Sequence, residues 1–298
     1  MNPIDVSVIT VTYNSAGCVS DFLGSVRAQK GVAAEIIVVD NASKDETAQI
    51  VRAGNPGVHF IENRENLGFG RACNQGFKAS RGRFIYLLNP DAQLIGNDAL
   101  ANLCRALEAH PRWGMAGTAF LTPDGQPKGT LNKDYPGESS TRTNFSHLPG
   151  SIAWVIGASM FVRREAYEAV GGFDPNFFLY AEDTDLCLRL RQQGYEIGVV
   201  ETVKVQHVGA ASEKGMDPYE ASVLRTKGIH LFWKKYFVPE DVAKLVRRDQ
   251  RRARYRMVLN GLLAAAQPPH SMAWRKARRY RATYETSARF LAEQQAKT

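Results

Sequence analysis

YLLNPDAQL, residues 86–94, runs an apolar segment straight into Asn89, Pro90 and Asp91. Its Tyr, Leu and Leu read as a buried strand, and the Asn-Pro step ends it, because proline cannot donate to a strand ladder. A carboxylate in that position either holds the turn or faces a ligand. The neighbouring segments decide between the two. VSVITVTY (6–13) and AEIIVVD (34–40) are β-branched runs, separated by VSDFLGSVRAQK, in which Val19, Phe22, Leu23 and Val26 fall at helical spacing. A second helix around ETAQIVRAG leads to the strand VHFIEN, and a third, GFGRACNQGFKAS, leads to RFIYLLNPDA. Strands alternating with helices predict an α/β fold with right-handed crossovers and a mostly parallel sheet covered on both faces.

Ligands of such sheets bind outside the carboxyl ends of the strands. Tyr13 and Asn14 follow the first strand, Asp40 and Asn41 the second, Glu62 and Asn63 the third, and Asn89 and Asp91 the fourth. A polar pair at the end of strand after strand is more than turn chemistry requires, so Asp40 and Asp91 are expected to face a ligand.

The chain has 298 residues, 44% of them hydrophobic, enough for one large domain and an appendage. No stretch reaches the apolar length of a membrane span. The opening MNPIDVSVIT lacks a basic region followed by an apolar one, which argues against secretion and for a cytoplasmic location. Cys18, Cys73, Cys104 and Cys187 are scattered without a Cys-x-x-Cys pair, so neither a zinc site nor a disulfide framework is indicated. The net charge of +8 is divided unevenly, −4 over residues 1–225 and +12 over residues 226–298. Two parts are expected, a domain over 1–212 and a basic helical extension over 213–298. Within the first, the Pro-, Gly- and Ser-rich stretch from Pro123 to Gly150 reads as a functional loop or a disordered one.

LYAEDTDLCLRLRQQG places Glu182, Asp183 and Asp185 where a helix starts. First-turn carboxylates complement the helix dipole, which accounts for Asp185. Three in four residues repel one another and exceed what capping needs, so at least one is expected to do chemistry. His207 ends the strand VETVKVQHVG, ahead of GAASEKG, a small-residue segment suited to moving. From its position alone, His207 is either structural or a metal ligand.

The ordered set VSVITVTYNS, VVDNAS, ENLGFGRACNQGF, LLNPDA, VIGASMFVRREAYEAVGGFDPNFFLYAEDTDLCLRL and QHVG resembles the inverting glycosyltransferases of family two. The rhamnosyltransferase-like branch is the most similar, and the resemblance spans roughly residues 5–210. It implies a GT-A nucleotide-diphospho-sugar transferase fold. Val11, Tyr13 and Asp40 would hold the nucleotide base and ribose. Asn66, Gly68 and Gly70 would let the backbone approach the nucleotide. Gly68-x-Gly70 is not a dinucleotide fingerprint, since Cys73 stands where its third glycine belongs. Asn89 and Asp91 match the Asp-x-Asp position, Asn89 near the donor and Asp91 as ligand to a divalent cation. His207 matches a further metal ligand, with Mg²⁺ or Mn²⁺ as the ion. Asp183 matches the general base, with Glu182 and Gly157 contacting substrate.

The activity implied is transfer of a sugar, rhamnose from dTDP-rhamnose first of all, to a hydroxyl of a bacterial cell-surface glycan or a polyprenyl-linked glycolipid. The alternatives are a UDP-sugar donor (galactofuranose, glucose or N-acetylhexosamine) and a nucleotide-sugar-binding protein without catalysis. VAKLVRRDQRRARYRMVLNGLL, with Val242, Leu245 and Val246 as an apolar stripe, reads as a basic helix. Such a helix docks on the anionic inner face of the cytoplasmic membrane or packs on a partner. No nucleic-acid-binding motif is present.

Overall fold

The computed structural model describes residues 3–53, 57–129, 131–207, 209, 216–268 and 270–296. The chain forms two compact units, one from Met1–Tyr135, Ser146–Phe178 and Glu182–Ser212, the other from Pro136–Phe145, Leu179–Ala181 and Glu213–Thr298. Against the simple 1–212/213–298 division, the second unit thus takes in two short segments from earlier in the chain.

The first unit begins with β1 (Val6–Thr12), α1 (Val19–Arg27), β2 (Ala34–Asp40), α2 (Thr47–Ala53), β3 (Val58–Glu62), α3 (Phe69–Ala79) and β4 (Phe84–Leu88). It continues through β5 (Ala92–Leu94), α4 (Ala99–Ala109), β6 (Trp113–Leu121), β7 (Pro127–Lys128) and β8 (Leu131–Asn132). β9 (Trp154–Val155), β10 (Ser159–Arg163), α5 (Arg164–Ala169), α6 (Glu182–Gln192) and β11 (Glu196–His207) complete it. Among the described residues one sheet runs β3-β2-β1-β4-β10-β6-β11-β5, with β7 on the flank of β6. β3, β2, β1 and β4 are parallel. β10 runs antiparallel to both β4 and β6, and β5 antiparallel to β11. The strand order turns back between β1 and β4, which places a crevice at their carboxyl ends.

The period-2 alternation of the strands produces a core on each face of the sheet. Val6 and Val8, Ile36 and Val38, and Phe84, Tyr86 and Leu88 pack with Phe22, Leu23, Leu100, Leu103 and Leu107 of α1 and α4. The intervening Ile9 and Val11, Ile37 and Val39, and Ile85 and Leu87 pack with Ala72, Cys73, Leu186 and Leu190 of α3 and α6. All four cysteines are free thiols.

Two segments take their form only in the structure. The apolar segment AWVIGASMFV (153–162) makes two strands, β9 and β10, broken around Ile156–Ala158, where the chain turns with Ser159 N–H donating to Ile156 O. The stretch Pro123–Gly150 is ordered over its described residues. Tyr135 is buried, and Arg191 on α6 donates to the carbonyls of Leu148, Pro149 and Gly150 and to the Tyr135 hydroxyl. The small-residue segment after His207 lies, except for Gly209, outside the described residues.

The second unit contains α7 (Pro218–Tyr236), α8 (Pro239–Ala265) and α9 (Met272–Gln295). Asp217 caps α7, accepting from Tyr219 N–H at 2.7 Å and from the Arg278 guanidinium of α9 at 2.7 Å. Asp241 accepts from Arg142 N–H, Thr143 N–H and the Thr143 hydroxyl. Trp233 Nε1 donates to Pro136 O at 2.7 Å. Val242, Leu245 and Val246 are buried within this unit, so that stripe is packing rather than a free face. Among the described residues no helix is long and apolar enough to cross a membrane.

Gly82 marks where the sheet tolerates no side chain: a Cβ there would lie 2.4 Å from Ser7 N and 2.7 Å from Val6 C, backbone atoms of central β1. Gly82→Ala should therefore destabilise the first unit by about 1–3 kcal/mol, read as a lower midpoint in urea at unchanged slope. An unchanged midpoint would contradict this packing.

Candidate active site

At the carboxyl ends of β1 and β2 the polar residues bind one another. Asp40, 1% exposed, accepts from the Thr12 hydroxyl at 2.7 Å, from Ser43 N–H at 2.9 Å and from the Ser43 hydroxyl at 2.6 Å. Its carboxylate thereby fixes the turn after β2 to the end of β1. Asn14 and Ala42 hold left-handed backbones in these turns (φ 53° and 63°), conformations costly to non-glycine residues that concentrate at functional sites. Val11 packs its side chain in the α3 face of the core, and Tyr13 stands on the rim, 41% exposed.

A chain of amides crosses the next strand ends. Asn41 Nδ2 donates to Gly68 O, Asn63 Nδ2 donates to Asn41 Oδ1 and Gln75 Oε1, and Gln75 Nε2 donates to Asn63 Oδ1. Asn66 accepts from Gly68 N–H at 2.9 Å and so shapes the turn into α3. The close approach that the glycines permit is made by the protein itself: a Cβ on Gly68 (φ 85°) would lie 2.4 Å from Phe178 O, and one on Gly70 2.8 Å from Phe173 Cβ. On the Cβ side of both glycines the chain thus meets the 173–178 segment.

The Asn89-Pro90-Asp91 turn leads from β4 into β5, and the antiparallel register of β5 with β11 sets His207 opposite Ala92. Asp91 and His207, 116 positions apart in sequence, therefore face each other, Nε2 to Oδ2 at 3.3 Å, both largely buried. His207 Nδ1 is buried without a hydrogen-bond partner among the described residues, and the ring lies 5.2 Å from that of Phe120. The described residues hold no group of three or more His, Cys, Asp or Glu that would by itself hold a metal ion. Asp91 and His207 do fit as a two-residue ligand set: neighbouring ligands about an octahedral ion with bonds of about 2.1 Å stand about 3 Å apart. A cation there would draw its remaining oxygens from a substrate such as a diphosphate.

The turn that splits β9 from β10 ties this corner to α6. Asn89 N–H donates to Ala158 O at 3.0 Å, and Gly157 N–H donates to Asp183 Oδ2 at 2.9 Å. Asp183 Oδ1 accepts from Thr184 N–H at 2.7 Å and its hydroxyl at 3.2 Å. A Cβ on Gly157 would press on Asp183 Cβ at 3.2 Å, so glycine permits this approach. Below the turn, Ser159 Oγ bridges the hydroxyls of Tyr86 and Thr118, each at 2.8 Å. The chain enters α6 through Tyr180 and Ala181, both left-handed (φ 73° and 67°).

The three first-turn acids of α6 have three environments. Asp185 is fully buried and paired with Arg189, whose guanidinium also donates to the carbonyls of Val170 and Gly172, a structural role. Glu182 is 6% exposed, and its Oε2 has no hydrogen-bond partner among the described residues. Burial, then the charge of Asp183, pushes the Glu182 carboxyl up to about 8, and its proximity helps to push the buried Cys73 thiol up. Asp183 is half-buried. Burial raises its pKa as well, opposed by the Gly157 and Thr184 hydrogen bonds. Burial raises both carboxyls, but only Asp183 has N–H donors from Gly157 and Thr184 that favour its ionised form. A half-buried carboxylate held by N–H groups at a helix start can accept a proton from a hydroxyl.

The structure thus brings together Asn89, Asp91, His207, Gly157 and Asp183. Asp40, Asn66, Gly68 and Gly70 form a second group, engaged mainly with the protein's own turns. Thr184 and Ser159 escaped sequence reasoning: Thr184 stands among the first-turn acids of α6, Ser159 in an apolar segment, and neither has a spacing signal.

Glu182 gives a signed prediction. In the unfolded chain it ionises near 4.5, in the folded one near 8. Between these the folded protein holds the extra proton, so its contribution to stability falls as pH rises from about 4.5 to about 8. Glu182→Gln should remove that slope. Its thermal midpoint should exceed the parent's by several degrees at pH 8, with the gap shrinking toward pH 5. A gap independent of pH would contradict the burial assignment.

Comparison with known proteins agrees with this geometry. Residues 7–171 match the model of glycosyl transferase family 2, and residues 139–214 that described as the N-terminal domain of galactosyltransferase. An N-acetylglucosaminyl-diphospho-decaprenol L-rhamnosyltransferase of Mycobacterium tuberculosis is 28% identical over 76% of this chain and 82% of its own. The low-salt glycan biosynthesis hexosyltransferase Agl10 of Haloferax volcanii is 25% identical over 68% and 67%. Among solved structures, the mannosyltransferase PcManGT of Pyrobaculum calidifontis, in complex with GDP-Man and Mn²⁺, superposes with a TM-score of 0.55 at 20% identity, covering 100% of this chain and 77% of that one. S. aureus TarS 1–349 in complex with UDP-GlcNAc does so at 0.55 and 15% identity, covering 97% and 92%. Fold and family motif coincide: the sheet is that of the GT-A glycosyltransferases, and the chain belongs to glycosyl transferase family 2.

Proposed function

We propose that the chain transfers rhamnose from dTDP-rhamnose to a hydroxyl of a lipid-linked cell-surface glycan by one inverting displacement. What carries the reading is the Asp183 carboxylate, half-buried and held by Gly157 N–H on the turn that also binds Asn89 N–H. The rhamnosyl donor and polyprenyl-linked acceptor rest on the M. tuberculosis relative, whose name states both a decaprenol-linked substrate and rhamnosyl transfer.

The acceptor hydroxyl gives its proton to Asp183 while its oxygen bonds to the anomeric carbon. The bond from that carbon to the diphosphate oxygen breaks, and the nucleoside diphosphate leaves with the electron pair. Glu182, holding its own proton at neutral pH, adds no second negative charge beside the base. Asp91 and His207 would hold a Mg²⁺ or Mn²⁺ ion, which when bound supplies charge stabilisation to the departing diphosphate. Val11, Tyr13, Asp40 and Asn66, at or beside the carboxyl ends of β1 to β3, border the space assigned to the nucleotide. Peripheral attachment to the inner face of the cytoplasmic membrane follows from a lipid-linked acceptor.

A UDP-linked donor is the second reading, favoured by the match of residues 139–214 to a galactosyltransferase model. A donor panel separates the two. Turnover of dTDP-rhamnose with a polyprenyl-diphosphate-linked N-acetylglucosamine acceptor should exceed that of UDP-sugars, fall about 10²–10⁴-fold in Asp183→Asn, and stop with EDTA. Preference for a UDP-sugar would assign the donor to the second reading. Turnover of Asp183→Asn within a few-fold of the parent would remove Asp183 as base.

A further inference from the structure

The large hydrophobic side chains most exposed to solvent concentrate at one place, the tip of the α8–α9 hairpin. Tyr255 (71%), Val258, Leu259, Leu262 (70%) and Leu263 are exposed along the last turns of α8, with Met272 (71%) at the start of α9. Positions 255, 258, 259, 262 and 263 follow the i, i+3, i+4, i+7, i+8 pattern of one helix face. The opposite side of the hairpin is packed, with Ala253 and Ala273 buried and Arg256 Nη1 donating to Tyr280 Oη at 3.1 Å. This face is therefore distinct from the buried Val242-Leu245-Val246 stripe.

Its surroundings identify what it fits. From Gln250 to Tyr284 the chain carries nine Lys and Arg residues and no Asp or Glu. Arg251, Arg252 and Arg254 are exposed one to three turns before the apolar tip, and Arg275 and Lys276 just after Met272. At 1.5 Å per residue, Leu262 lies about 12 Å beyond Arg254 along the axis, comparable with the depth from lipid headgroups to the acyl boundary. A second copy of the chain would set two such cationic tips against each other with no acidic residue to offset them. An anionic bilayer neutralises the arginines and takes up the leucines at once.

We propose that the α8–α9 tip is a membrane-docking element, Leu259, Leu262, Leu263 and Met272 entering the boundary of an anionic bilayer beneath an arginine collar. It deepens the lipid-linked acceptor reading, on which its purpose rests, but its test needs neither donor nor acceptor. Co-sedimentation of the full chain with phosphatidylcholine vesicles, with and without phosphatidylglycerol, measures it. Binding should require the anionic lipid, weaken as salt is raised, and fall about ten-fold or more in Leu262→Asp/Leu263→Asp at unchanged circular dichroism. Failure of the parent to bind, or undiminished binding of the variant, would overturn the proposal. So would self-association lost in the variant without vesicle binding in the parent, which would give the face to a second copy. Intact vesicle binding with no sugar transfer to any acceptor would instead break the transferase reading alone.

Discussion

The hydrogen bond from Gly157 N–H to Asp183 Oδ2 is the constraint from which the site follows. It depends on the β9–β10 turn that interrupts the apolar segment 153–162, and glycine at 157 eases it, because a Cβ would press on Asp183 Cβ at 3.2 Å. The next residue of the same turn, Ala158, accepts from Asn89 N–H. One turn of backbone thus couples the end of β4, where Asp91 sits, to the first turn of α6, where Asp183 sits. The buried hydroxyls of Tyr86, Thr118 and Ser159 support that turn from below, so its geometry is built into the centre of the sheet.

The electrostatics follow from placement. Two adjacent carboxyls at a helix start cannot both ionise cheaply in a buried setting, and the fold resolves the conflict by depth. Glu182 lies inward, where burial pushes its carboxyl up to about 8; Asp183 lies less deep, with N–H donors that oppose the upward push of burial. Asp185 is removed from the competition by Arg189. The left-handed Tyr180 and Ala181 ahead of α6 are a local backbone cost of the kind tolerated where a functional segment must start at a fixed point.

Much of the fold was legible. β1, β2 and β4 are β-branched or apolar runs, and their alternation already specified helices on both faces. β6 was missed: WGMAGTAFL has two glycines and no alternation, and it is a strand because Gly114 and Gly117 make room for Tyr195 and Val155. The Asp91–His207 pairing depends on a long-range antiparallel register, which local pattern does not encode. Motif resemblance located both residues, and the structure adds that they touch. Glycines 68 and 70 admit close approach of the protein's own Phe178 and Phe173, a long-range packing that local pattern does not encode. The depth of Glu182 was equally hidden, since helical periodicity does not say which end residue turns inward.

The stereochemistry of a single turnover tests the central claim most directly. NMR of the glycoside formed from a donor of known anomeric configuration should show that configuration inverted, as one displacement assisted by Asp183 requires. A product with the donor's configuration retained would contradict it, because retention needs a second displacement or a covalent intermediate for which Asp183 as sole base provides no route.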